Sequence, residues 1–120
     1  MLDPKEHTTP YKKVYKLTGT CGYIVWRLGT GESIELLQLA ASRLREGLGT
    51  ELIQLMLTKL KDHPSCHSVY GFTRERMIHA QLFYIAMGFR LRRIPNHYRE
   101  GGAIMFYQSL STLLALHEIK

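Results

Sequence analysis

Leu48, Leu52, Leu55, Met56 and Leu60 recur at helical spacing, and a helix with so continuous an apolar stripe has to cover it with another element. What can cover it is set by what flanks it. The helix opens on Gly47-Leu48-Gly49 and is stopped by Asp62-His63-Pro64-Ser65, because proline lacks the amide a continuing helix needs. Three strand-like runs precede it: a weak one at Tyr11-Lys16, a strong one at Gly22-Leu28 through Tyr23, Ile24, Val25 and Trp26, and the most apolar at Ser33-Ala41. Gly29-Thr30-Gly31-Glu32 joins the last two as a hairpin. Behind the helix come a short strand near Ser68-Thr73, then a second amphipathic helix carrying Ala80, Phe83, Tyr84 and Met87 and ending at Gly88. Two further strands follow, near Phe89-Ile94 and Ala103-Leu110. This order predicts an α/β (α+β) chain around one mixed sheet of about six strands with two main helices.

A chain of 120 residues is the size of one domain and buries a modest core without disulfides or a structural metal. One domain over 1–120 is expected, with 1–10 loose. The tail Ser111-Lys120 carries Leu113, Leu114, Leu116 and Ile119, too apolar to remain solvated, so it should pack on the domain or on a second subunit. Cys21 and Cys66 stand apart without ligand spacing and read as reduced thiols. The six histidines show no metal-binding pattern, and no metal is expected. No run approaches the roughly 18 apolar residues of a membrane span and the start has no apolar leader core, so a cytoplasmic protein without membrane association is expected.

The formal charge of +6 calls for an anionic partner. Lys12/Lys13, Arg43/Arg45 and Arg90/Arg92/Arg93 lie in different elements rather than in one stripe, which disfavours nucleic acid. A more local anion site is the turn itself. A strand running into Gly47-x-Gly49 and then a helix leaves backbone N–H groups unpaired at the helix start, where the dipole favours negative charge. Thr50 adds a hydroxyl, and Arg43 and Arg45 add charge. The same residues also suit a plain tight turn, and neither a Walker A loop nor a full GxGxxG fingerprint is present.

Two motifs in order then carry a family resemblance. Leu44-Arg45-Glu46-Gly47-Leu48-Gly49, followed one helix and one strand later by Ala80-x-x-Phe83-Tyr84-x-x-x-Gly88-Phe89, resembles the GNAT superfamily of acyl-CoA-dependent N-acetyltransferases over about 22–110. The resemblance implies a mixed, mostly antiparallel twisted sheet and acetyl-CoA as co-substrate, its acetyl group passing directly to a primary amine of a small molecule or peptide. Leu37, Gln38 and Leu39 would then meet the pantetheine arm, and Arg43, Leu44, Arg45, Glu46, Gly47, Leu48, Gly49 and Thr50 the pyrophosphate, with Phe83 beside the cofactor. Tyr84 stands where such enzymes place the phenol that donates to the departing sulfur.

Glu35, acidic on an otherwise apolar strand, is the candidate base if burial raises its pKa, and otherwise an edge carboxylate. Tyr98, in the loop Ile94-Met105, sits where relatives receive the acceptor amine, or simply in a connecting loop. The chain departs from the family pattern in places. Leu44 replaces the usual Arg or Gln, Met77 a usual Asn, and Phe72 the glutamate of some relatives, leaving His79 or a water chain as substitute bases. Only 32 residues precede Ser33, so the chain reads as an N-terminally shortened member whose acceptor site is open or completed by another subunit, with a homodimer expected. The alternative is a non-catalytic CoA-binding or partner-binding module.

Overall fold

The apolar stripe of the long helix finds its cover on one face of a seven-stranded sheet. The computed structural model describes residues 4–8, 13–17, 22–28, 32–40, 47–62, 66–98 and 101–120, the first two segments and Leu28 by their backbone alone. The elements are β1 (Pro4–Thr8), β2 (Lys13–Leu17), β3 (Tyr23–Leu28), β4 (Ser33–Ala40), α1 (Leu48–Leu60), β5 (Ser68–Arg74), α2 (Ile78–Ala86), β6 (Arg90–Tyr98), β7 (Gly101–Ser109) and α3 (Leu110–Leu116). In space the strands run β1-β2-β3-β4-β5-β7-β6. Neighbours pair antiparallel except β4 and β5, which are parallel because α1 carries the chain back between them.

This is the mixed, mostly antiparallel sheet expected, with three corrections. Within the segment expected to be loose, Pro4–Thr8 forms a strand that pairs with Lys13–Leu17 and brings the sheet from about six strands to seven. The apolar tail packs on the domain as expected, but as a third helix beside the two predicted. Ser109 caps it by accepting from the Thr112 amide at 3.2 Å, and Leu110 and Leu113 are buried, so the tail packs on the sheet and on α1. Finally, Leu55 is only partly buried, while Ile53 and Leu57 are fully so, which turns the inward stripe of α1 slightly from the one its leucines alone suggest.

Leu48, Leu52, Ile53, Met56 and Leu57 of α1 pack with Ile24, Trp26, Ile34, Leu36, Val69 and Phe106 from the sheet in one buried cluster. Each such side chain contributes about 1.5–3 kcal/mol on burial. Tyr84 of α2 and Leu113 of α3 join the same cluster, so all three helices share one face. The strand alternation sends Ser33, Glu35, Tyr70, Phe72, Met105 and Tyr107 to the other face, where they are half-buried and no described helix covers them. Cys66 is buried, and burial pushes its thiol pKa up; Cys21 lies outside the described residues.

The tail also fixes the site helix. The His117 Nε2 lies 2.8 Å from the Met87 carbonyl and its Nδ1 lies 3.3 Å from the Gln54 amide on α1, while Gln108 donates to the Gly88 carbonyl at 3.1 Å. The carbonyls left open at the end of α2 are thus satisfied from α3 and β7.

Candidate functional site

Strand β4 carries one residue more than its partner. Trp26 opposes Leu36 and Val25 opposes Gln38, so Leu37 is an extra residue that bends the strand and increases its local twist. On the other edge of β4, pairing with β5 ends at Leu36–Gly71, although β4 continues to Ala40 and β5 to Arg74. Leu37 therefore has no partner in either ladder, and the two parallel strands part just beyond it. An opening at the carboxyl ends of parallel strands is where α/β sheets take ligands. Gln38 is exposed there, and Leu39 turns back to pack on the core.

The start of α1 lies at the same end of the sheet. Gly47 holds φ at 81°, a left-handed conformation that suits glycine. No side chain caps the helix, and within it the first turn has no partner for the Leu48, Gly49 and Thr50 amides. Leu48 itself is buried at 1% exposure, so only its backbone faces the ligand side. Gly49 has a second reason to be glycine: a Cβ there would come within 3.0 Å of the Phe83 ring. Phe83 thereby braces α2 against the anion-receptive turn. Arg43, Leu44, Arg45 and Glu46 lie outside the described residues.

Tyr84 is 8% exposed and stacks on Phe106 at 3.7 Å and 9°, with Phe83 and Phe89 edge-on at 5.3 and 5.7 Å. Phe106 in turn fills the space over Gly71, the last β5 residue paired with β4. Tyr84 thus sits one ring layer below the opening, on the helix side of the sheet. Burial pushes its pKa up to about 12, so the phenol keeps its proton throughout the neutral range. The folded value lies above the ordinary 10, so this proton stabilises the fold below pH 10 and the contribution is lost as pH rises toward 12. Alkaline titration of unfolding should show the native chain losing about 2 kcal/mol more than Tyr84→Phe between pH 10 and 12; parallel curves for the two would contradict it.

The opposite face presents different chemistry. Glu35 is held by Arg27 through bonds of 2.9 and 3.1 Å to one carboxylate oxygen, so its environment is an ion pair rather than the apolar burial considered for a base. Phe72 stacks on His97 at 4.1 Å. Tyr98, beside it, lies under the Arg74 guanidinium at 4.3 Å. The β6–β7 hairpin is thereby folded over the opening's edge, with Tyr98 paired to Gly101. His79 is exposed on α2. Sequence reading missed His97, since its only signal is register: it becomes a neighbour of β5 only when the hairpin closes. An open-sided cavity of about 620 Å³ runs along this face between β4, β5, β7 and β6, over Tyr70, Phe72, Met105 and Tyr107.

Among the described residues no helix is long and apolar enough to cross a membrane, and no group of three His, Cys, Asp or Glu is placed to hold a metal.

Compared by sequence, the chain matches no protein-family model and no curated protein. Compared by structure, it is similar to a GNAT family acetyltransferase from Elizabethkingia anophelis with acetyl-CoA bound, at a TM-score of 0.77 and 15% identity over 90% of this chain and 97% of that one. It is similar also to Ard1 from Thermoplasma volcanium, with a TM-score of 0.68 and 24% identity over 82% and 70%. A third match is the ribosomal-protein-S18-alanine N-acetyltransferase from Escherichia coli, with a TM-score of 0.69 and 17% identity over 86% and 72%. The chain has the fold of the GNAT acetyltransferases.

Proposed function

We propose that this chain transfers an acetyl group from acetyl-CoA to a primary amine, and the observation that carries the reading is the opening beside Leu37. It combines an unpaired strand edge, an uncapped helix start and a buried phenol in one place. The β5-side edge of Leu37, Gln38 and Leu39, beyond the last β4–β5 pair among the described residues, suits the amide-rich pantetheine arm, which lies alongside a strand as another strand would. The amides of Leu48, Gly49 and Thr50, with no side-chain cap among the described residues, suit the pyrophosphate, and Arg43, Leu44, Arg45 and Glu46, which precede them in sequence, are proposed to join them. Structural neighbours captured with acetyl-CoA or CoA support acetyl-CoA as the co-substrate.

The acceptor nitrogen attacks the thioester carbonyl from the open face of the sheet. A C–N bond forms, the C–S bond breaks, and the nitrogen's proton passes to a base while the thiolate leaves. Tyr84, below the opening, donates a hydrogen bond from its hydroxyl to the departing sulfur. Glu35 is the proposed base and Tyr98 the residue beside the incoming amine. Glu35→Gln is expected to lower kcat about 100-fold with little change in acetyl-CoA affinity. The same loss from His97→Ala, with Glu35→Gln active, would move the role to His97. The reading as a whole is tested by incubating the full chain with acetyl-CoA and a panel of amines and N-terminal peptides, following free thiol and the mass of the product. Tight CoA binding with no thiol released for any acceptor would leave a CoA-binding module instead.

Ile78, Leu82, Ile85 and Leu116, each more than half exposed, give the proposed homodimer its candidate surface. A single monomeric species at every concentration in sedimentation velocity would remove the dimer.

A further inference from the structure

The cavity on the open face is built across the strands. From the opening, Phe72 pairs with Met105 and Met105 with Arg92; one row down, Tyr70 pairs with Tyr107 and Tyr107 with Arg90. Each row is an apolar or aromatic floor ending in a guanidinium on the edge strand β6. Arg90 lines the cavity and lies 5.9 Å from the Tyr107 ring centre. Both arginines are exposed. Among the described residues the arginine–carboxylate pairs are Arg27 with Glu35 and Arg93 with Glu75, so Arg90 and Arg92 have no carboxylate partner there. They stand two residues apart on one side of a strand, about 7 Å, a spacing that lets both guanidinium groups reach a single anionic group.

Resting on the acetyltransferase reading, we propose that this face selects the acceptor: an amine carrying a carboxylate about 10 Å from its nitrogen, across a planar or apolar spacer. The length follows from the sheet. Strands lie about 4.8 Å apart, and the gap between β4 and β5 is separated from β6 by two to two and a half spacings, or about 10–12 Å. Tyr70, Phe72, Met105 and Tyr107 form the floor under the spacer, and Arg90 with Arg92 takes the carboxylate. The nitrogen then meets the thioester at Leu37, where the acetyl group exchanges its bond to sulfur for one to nitrogen and the nitrogen's proton goes to the base. A free aryl-alkyl amino acid supplies this chemistry. So does a peptide N-terminus with an acidic third residue, since three extended residues span about 10 Å.

The test compares 3-[4-(2-aminoethyl)phenyl]propanoic acid with its methyl ester, and the peptide amides Ala-Phe-Glu and Ala-Phe-Gln, as acceptors for the full chain. The acid of at least one pair is expected to exceed its neutral partner about tenfold in kcat/KM, and the pair that does so names the source. In the double variant Arg90→Gln/Arg92→Gln that ratio should fall to about one. In Arg76→Gln, which removes an exposed charge elsewhere, the ratio should persist. Equal use of acid and neutral partner in both pairs, or a preference that survives the double variant, overturns the proposal. Calorimetric titration of the same acids without acetyl-CoA separates it from the catalytic reading. Binding of an acid that the double variant loses, with no turnover, supports the anion site and refutes acetyl transfer; absence of binding and of any acid preference refutes the site.

Discussion

Phe106→Ala is expected to lower the unfolding free energy by about 3–5 kcal/mol, measured as a shift in the urea midpoint at unchanged slope. The ring is 1% exposed and is held from two sides, by Tyr84 stacked at 3.7 Å and by Phe89 edge-on at 5.2 Å. Its third neighbour is an absence of side chain: a Cβ on Gly71 would collide with the Phe106 ring and lie 2.7 Å from the Leu36 carbonyl oxygen. Gly71→Ala should therefore cost about 1–3 kcal/mol by overpacking. In the Phe106→Ala background its cost should shrink without vanishing, because the ring collision is gone and the clash with backbone remains. A loss below about 1.5 kcal/mol for Phe106→Ala would mean that the core does not close over Gly71 as described. The residue that stabilises the sheet is also the platform under Tyr84, so under the proposed function acetyl transfer should fall further than the folded fraction does.

Local pattern carried much of this architecture. The long helix and where it ends, the strand after it and the Ala80–Phe89 segment are read correctly because their periodicity and stop signals are local properties of the chain. The tail's leucines announced burial, but not that His117 and Gln108 would satisfy the end of α2, since those bonds join residues 20 or more positions apart. Register was the least legible property. Nothing in Ser33-Ala41 marks Leu37 as the extra residue, because a bulge is defined only by comparison with the partner strand. Glu35 looked like an acid on an apolar strand, and the Arg27 that pairs with it faces it only once β3 and β4 are aligned. The arginines of β6 were visible as charge, but their place at the ends of two aromatic rows depends on strand order β5-β7-β6, in which the last two strands are reversed in space. Gly49, read as part of an anion-receptive turn, proves also to be room for Phe83.

Tyr84→Phe is expected to lower kcat about 100-fold while the dissociation constant for CoA changes by no more than about threefold. The substitution removes one buried hydroxyl and keeps the ring that stacks on Phe106, so the core that places it persists. The expected mechanism of the loss follows from acidity. With its pKa pushed to about 12, the phenol is more than three units weaker an acid than an ordinary thiol near 8.5. Complete proton transfer to the leaving thiolate is therefore uphill; what the hydroxyl supplies is a hydrogen bond that strengthens as negative charge gathers on sulfur, within a site of low polarity where such a bond counts most. That predicts a dependence on the leaving group. With an acetyl thioester of a more acidic thiol, less charge needs stabilising, and the Tyr84→Phe defect should shrink to about tenfold. A defect of the same size for both thioesters would indicate that Tyr84 merely supports the pocket's shape, and an undiminished kcat would remove it from the chemistry.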